Sequence, residues 1–552
     1  MRRAEKRRLI RLYLQSQKVR KKLSPQQIAQ TEKYIEQIRD AKRRGEREKI
    51  SLLLNQWDLY AQSFPKLSWV RKGMGYFFSL SLALAVAICF RHSYGELYEI
   101  PSGSMRPTLR EGDRLFVSKL SFGLNVPLTP RHFWFRPQDV QRTSLVVFTT
   151  EKMGISGSKT RYFGFPGYKR FVKRCMGKGG DRLYFYGGKI YAIDEEGREL
   201  VELREAPWVC NREYLPSPIM NEGEPLASWG VHNYAFARLL WPQEAETFYP
   251  ERVREWDVQA KAYLELHTLS APGPKALPQF SLSLLPLREN HLERIWDSLS
   301  TSRFVVRDHL ARSYGEESFS ASSPYLELPD GSYEWIEGEA YTLLWGSRAK
   351  QWSRQELRAV HSLAFLQKLF NTGVHFLREA IPERERNQKG LFQTRRFAYF
   401  LQGDLYLLGK PLFFSTDPIL QNYLTLEERR EERENRHVAF RDENLLAMDP
   451  MDRKKLIEER GLLIPKGTYY CVGDNWSNSR DSRSFGPIPE NNLRGTPFFF
   501  FWPPGRWGKI QQPHSSWALY SASLLLLFLL LFVLLSFLYS RYKKRKLLLK
   551  LS

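Results

Sequence analysis

Three separated segments hold the side chains from which a reaction could be built. They are PSGSMRPTLREGDRL at 101–115, RFVKRCMGKGGDRLYF at 170–185 and GTYYCVGDNWSNSRDSRSFGPI at 467–488. The first carries Ser102 and Ser104 around Gly103, and a glycine there lets backbone approach a substrate closely. A serine hydroxyl is a poor nucleophile and needs a base within hydrogen-bond reach. The chain has ten histidines, but none lies in these segments, so the base must come from elsewhere. Lysine can serve only when neutral. At its ordinary pKa of about 10.4, about one lysine in 2,500 is neutral at pH 7. Lowering that pKa by about three units costs roughly 4 kcal/mol, which burial away from water can impose. Lys173 meets the demand: Phe171 and Val172 precede it, Cys175 and Met176 follow, and no acid lies within seven residues. Taken alone, a strand lysine usually faces solvent and a Ser-Gly-Ser turn is usually a loop. Only the segments together carry weight.

The third segment adds the longer pattern GDN-x-x-N-S-x-D-S-R, from Gly473 to Arg483. In this order the three segments closely resemble type I signal peptidase, a family of membrane-bound serine proteases with a Ser–Lys dyad. The resemblance covers roughly residues 73–190 and 465–505. It implies Ser104 as nucleophile and Lys173 as general base, with Arg174 beside it. It also implies an oxyanion hole made by the Ser104 N–H and the Ser102 hydroxyl. Ser479 would hydrogen-bond the lysine, and Asp474, Asp481 and Arg483 would form ion pairs that hold their loop, with Gly473 and Asn475 completing the GDN. The sequence departs from the family at Thr143-Ser144-Leu145, where Gly-Asp often precedes the strand. We read this as a changed turn with no effect on the dyad. Ser156-Gly157-Ser158-Lys159 has the SxxK spacing of penicillin-binding enzymes but no helical pattern and no companion triplets, and reads as a loop.

The elements around these segments are strands. RLFVSKLSF, SLVVF, RFVKRCMG and RLYFYGGKIYAI are short, rich in β-branched and aromatic residues, and bounded by Gly, Pro or Ser. Tyr186-Gly187-Gly188-Lys189 has the form of a two-residue hairpin. The strand pattern resumes at TYYCVGDN and ends in the aromatic run Phe498–Trp502, read equally as a core strand or as a membrane-interface contact. Cys175 and Cys471 read as buried small hydrophobes, with a disulfide between them as the alternative. Between the strand regions, residues 195–465 alternate Pro-rich, Trp-rich and helical stretches without motif chemistry. The charges of the helical piece 424–437 read as a solvated face.

Charge and hydropathy address location. The net charge is +24 over 552 residues, which by itself suits nucleic acid or a membrane surface. Residues 1–72 carry 20 Lys and Arg against 7 Asp and Glu, and residues 541–552 carry six basic residues and no acid. Each basic block abuts an apolar run, GMGYFFSLSLALAVAICF at 73–90 and the Leu/Phe-rich 517–539. Both runs read as transmembrane helices, with basic flanks cytoplasmic and the middle of the chain outside. Nucleic-acid binding is set aside.

The expected fold class is a mainly β catalytic domain of signal peptidase-like antiparallel sheets, with a large mixed α+β insertion, flanked by two transmembrane helices. The expected boundaries are a basic cytoplasmic helical segment at 1–72, spans at 73–90 and 517–539, catalytic β parts at 91–194 and 466–512, the insertion at 195–465, and a basic tail at 540–552. The resemblance implies a bacterial inner-membrane endopeptidase with its site on the periplasmic face. It would remove signal peptides from exported preproteins after small residues at −1 and −3. Its partners would be preprotein signal peptides, the lipid bilayer and the secretion machinery, and it would use no metal and no cofactor. The competing reading is a catalytically inactive relative that binds exported proteins as a scaffold.

Overall fold

A computed structural model describes residues 3–64, 94–126, 131–155, 157–162, 165–209, 213–214, 219–221, 224–227, 234–256, 258–270, 279–301, 303–314, 325–344, 347–371, 396–434, 439–475 and 479–513, together with residue 129 and single residues between 77 and 84. The chain divides into two units, residues 1–91 with 519–552, and residues 92–518.

In the first unit, helices Arg3–Val19, Pro25–Arg43 and Arg47–Ala61 follow one another. The second starts where Ser24 accepts from the Gln27 N–H and Gln27 reciprocates, satisfying backbone donors that a helix start leaves free. Apolar side chains at helical spacing, among them Leu9, Leu12, Ile38, Leu54 and Trp57, form a buried core, so these helices pack together rather than standing exposed. Among the described residues no helix is long and apolar enough to cross a membrane. This corrects the expected fold class: the mainly β architecture stands, and the two flanking transmembrane helices are not supported by any described helix. An apolar run by itself fixes only the length that a span could have. Almost all of 73–90 and the whole of 517–539 lie outside the described residues.

The second unit is mainly β and antiparallel. Its central sheet runs Gly95–Glu99, Arg114–Ser118, Leu493–Trp502, Leu145–Thr149, Arg170–Lys178, Thr468–Val472 and Ile488–Pro489, with Gly508–Lys509 also on Leu493–Trp502. Leu145–Thr149 is buried along its whole length, as a five-residue run of β-formers in mid-sheet should be. The aromatic run belongs to this sheet too, with Phe500 buried and Phe499 and Trp502 exposed. Arg182–Tyr186 and Lys189–Ile193 form the expected hairpin, with Gly187 and Gly188 at φ +55° and +72°, the left-handed pair that such a turn requires.

The sheet is discontinuous in sequence. Arg170–Lys178 pairs with Thr468–Val472, so Val472 faces Arg174. Between them lie a six-stranded sheet, from Tyr234–Leu240 to Lys410–Phe413, and a five-stranded sheet, from Phe304–Arg307 to Ser347–Gln351. A common core holding Leu264, Leu292, Phe304, Trp335 and Phe400 joins them. Helix Pro418–Arg433 lies in this region, and its charges are not all solvated: Glu427 is buried and accepts from Arg430 and from the Ser283 hydroxyl. A charge pattern does not reveal which face of a helix another element will cover.

Candidate active site

The first segment folds as a short 3₁₀ turn, Gly103–Met105, entered from an extended Ser102. Met105 and Leu109 anchor it in the core beside Leu115 and Val117. The third segment grips its backbone. The Asn475 amide N–H donates to the Ser104 carbonyl at 3.1 Å, and Asn475 Nδ2 donates to the Gly103 carbonyl at 2.9 Å. Gly473 is the point of closest approach: a Cβ there would lie 2.5 Å from the Ser104 carbonyl oxygen and 2.2 Å from Ser479 Oγ.

Lys173 projects from Arg170–Lys178 opposite Val146 and is buried. Its Nζ lies 2.7 Å from Ser104 Oγ and 5.7 Å from the Phe171 ring centroid. Burial lowers its pKa to about 8, the nearby Asp481 pulling upward and Arg483 downward. At that pKa about one molecule in ten holds a neutral amine at pH 7. A neutral amine at this distance is able to accept a hydroxyl proton. Ser102 is exposed, with Oγ 3.5 Å from Ser104 Oγ.

Strand alternation turns Arg174 to the opposite face, where its side chain is fully buried. It donates to Asp474 through Nε at 2.7 Å and Nη2 at 2.6 Å, and through Nη1 to the Thr143 carbonyl at 2.6 Å. Burial alone would lower the Arg174 pKa, but Asp474 outweighs it and raises it. Asp474 also accepts from Thr108 Oγ1 and from the Tyr214 hydroxyl at 3.0 Å. Thr143, in the turn that departs from the family, has φ +65° and accepts from Trp208 Nε1 at 2.9 Å, so that turn helps to hold Arg174.

Asp481 and Arg483 pair with each other, Nη2 to Oδ2 at 2.6 Å, and Asp481 accepts from the Gly473 N–H at 2.8 Å. Burial would raise the Asp481 pKa, and the guanidinium more than offsets this and keeps it low. Ser479 is buried against Gly473, with its hydroxyl beside Asp481, whose carboxyl it helps to hold low. Cys175 and Cys471 occupy facing register positions and are free thiols. Ser156 of the SxxK spacing lies outside the described residues, and Lys159 begins strand Lys159–Tyr162. Among the described residues no group of three or more His, Cys, Asp or Glu side chains is placed to hold a metal ion.

Sequence reasoning named Ser104, Lys173, Ser102, Asp474, Asp481, Arg483 and Ser479, and all seven lie in the three segments that this turn and these strands bring together. It did not find Thr108 and Tyr214 as partners of Asp474. Thr108 stood inside the first segment, whereas Tyr214 lay in sequence with no signal at all.

Comparison with known proteins is consistent with this arrangement. A family model described as signal peptidase, peptidase S26, matches residues 73–210 and 401–502. Signal peptidase I of Haemophilus influenzae is 30% identical over 138 residues, 22% of this chain and 38% of that protein. Signal peptidase I of Pseudomonas fluorescens is 31% identical over 113 residues, 20% and 35% of the two chains. Mitochondrial inner membrane protease subunit 2 of Saccharomyces cerevisiae is 36% identical over 63 residues, 11% and 36%. The chain thus spans between a third and two fifths of the length of these relatives. Over the matched segments, the chain belongs to the signal peptidase family, peptidase S26.

Proposed function

We propose that this protein is a serine endopeptidase that removes signal peptides from exported preproteins, with Ser104 as nucleophile and Lys173 as general base. The observation that carries the reading is the 2.7 Å separation of Lys173 Nζ and Ser104 Oγ in a buried setting. Lys173 takes the hydroxyl proton as Ser104 Oγ bonds to the scissile carbonyl carbon. The Ser104 N–H and the Ser102 hydroxyl receive the developing oxyanion. The ammonium of Lys173 then protonates the departing amine, and the amine, neutral again, activates a water that releases the acyl group. Asp474, Asp481, Arg483 and Asn475 hold the surrounding backbone in place.

The substrate binds extended. Strand Gly95–Glu99 supports this, because it is the edge of the central sheet and runs into the Ser102–Ser104 turn. Small residues at −1 and −3 are what the likeness to the signal peptidase family implies for the substrate. The place of work is the periplasmic side of a bacterial inner membrane, where leaders emerge. A scaffold role is not favoured, since binding alone gains nothing from a buried amine with a lowered pKa.

Purified protein in detergent, given a preprotein, cleaves it, and Ser104→Ala does not; normal leader removal by Ser104→Ala overturns the assignment. Because the neutral lysine is the active form, kcat/KM rises with pH and levels off above an apparent pKa near 8. A flat profile from pH 6 to 9 would exclude Lys173 as the base. Ser102→Ala lowers kcat by about 10²–10³-fold with little change in KM if its hydroxyl binds the oxyanion. An equal rise in KM at constant kcat would assign Ser102 to substrate binding instead.

A further inference from the structure

The stretch 211–400 falls outside the match to the family, yet the structure ties part of it to the nucleophile turn. Arg106, two residues after Ser104, is buried. Its Nε donates to Glu111 Oε2 at 2.6 Å, which closes the loop on itself. Its Nη1 reaches out of the loop to Glu334 Oε1 at 2.7 Å and to the Thr301 carbonyl at 3.1 Å. Glu334 is fully buried on strand Gly331–Ile336, in the middle of the five-stranded sheet of the insertion. Arg303, from the same sheet region, donates through Nη1 to the Glu111 carbonyl at 2.6 Å.

Glu111 completes the path. A Cβ on Gly103 would lie 2.5 Å from Glu111 Oε1, so that carboxylate packs directly on the backbone that precedes Ser104. The line runs from Glu334 through Arg106 and Glu111 to Gly103, each link a buried ion pair or a close contact. On the opposite side Asn475 holds the Gly103 and Ser104 carbonyls. The turn is thus clamped between the central sheet and the insertion.

We propose that Glu334 is a positioning residue for Ser104, and that the insertion is thereby part of the catalytic apparatus. This rests on the proposed function above. A general base works only over a short and well-aligned distance, and a displacement of about 1 Å can cost about 10²-fold in rate. With Glu334 uncharged, Arg106 loses its charged partner outside the loop, keeps only neutral acceptors there such as the Thr301 carbonyl, and the turn relaxes toward the Glu111 side. Glu334 also faces Arg348 Nε at 3.3 Å and Arg303 Nε at 3.6 Å, so a purely structural role, neutralising arginines, is the rival explanation. The two differ in what they do to turnover.

The full-length protein is compared as wild type, Glu334→Gln, Arg106→Gln, the double variant of these two, Arg348→Gln and Ser104→Ala on one preprotein, at a temperature where thermal unfolding shows each to be folded. The expected result is a fall in kcat of about 10–100-fold for Glu334→Gln, with KM within about twofold. Arg106→Gln should match it, and the double variant should lose no more than the larger single. Arg348→Gln, which touches Glu334 but not the turn, keeps wild-type kcat. Should Glu334→Gln fail to fold, Arg106→Gln, which leaves Glu334 paired with Arg303 and Arg348, carries the test alone. Wild-type kcat in folded Glu334→Gln or Arg106→Gln, with Ser104→Ala inactive, overturns this inference and leaves the proposed function standing. Cleavage by Ser104→Ala overturns both.

Discussion

Lys173→Met abolishes cleavage and at the same time stabilises the protein. The loss, read as kcat on a preprotein, is at least about 10⁴-fold, the scale on which removing a proton-accepting partner of a nucleophilic serine acts. The gain in stability has a separate cause. Lys173 is buried, and its pKa is about 8 in the folded protein against an ordinary value of 10.5. Between those values the unfolded chain binds a proton that the folded protein does not, so wild-type stability rises with pH across that window and is lowest below it. The difference of about 2.5 units corresponds to about 3 kcal/mol. Methionine has nearly the same length and no proton to bind. Its advantage over wild type is therefore largest near pH 7 and shrinks by about 3 kcal/mol as pH rises from about 8 to 10.5. Thermal unfolding of both proteins across that range checks it. A constant difference would mean that the amine is charged in the folded protein at every pH tested, and the role of base would fall with it.

The second large effect is on the fold. Asp474→Ala removes the carboxylate that takes two hydrogen bonds from Arg174, whose side chain is fully buried. An isolated charge in that position cannot be rehydrated without opening the sheet, so the expected loss is about 3–5 kcal/mol. The pair itself is not therefore a large net stabiliser. Asp474→Leu combined with Arg174→Met should recover most of the loss, because neither charge then remains buried. Chemical unfolding of the three proteins decides the point. A single-variant loss below about 1 kcal/mol would show that the arginine finds water or another partner. The change also releases Thr108 and Tyr214, which bond the same carboxylate, so activity should fall even where the protein is folded.

The strands were legible because the information for them is local. SLVVF, RFVKRCMG and TYYCV each became a strand, and YGGK became a two-residue turn, since alternation and left-handed glycines act over a few residues. The burial of Lys173 was legible for a related reason, since its neighbours along the strand are apolar. Other readings failed where a second surface intervenes. The helix at Pro418–Arg433 buries Glu427, because the elements that cover it come from elsewhere in the chain. Two long apolar runs promised membrane spans; they lie almost wholly outside the described residues, among which no helix is long and apolar enough to cross a membrane.

Residue order alone marked out the three segments that come together and the β character of what surrounds them. Only tertiary structure decided who meets whom: Lys173 with Ser104 across 69 residues, Arg106 with Glu334 across 228, and Arg174 with Asp474 across 300. Nothing in the neighbourhood of Glu334 distinguishes it from a solvent-facing strand carboxylate. Burying a charge is costly unless an opposite charge arrives with it, and which charges arrive together is settled when the sheets close on each other.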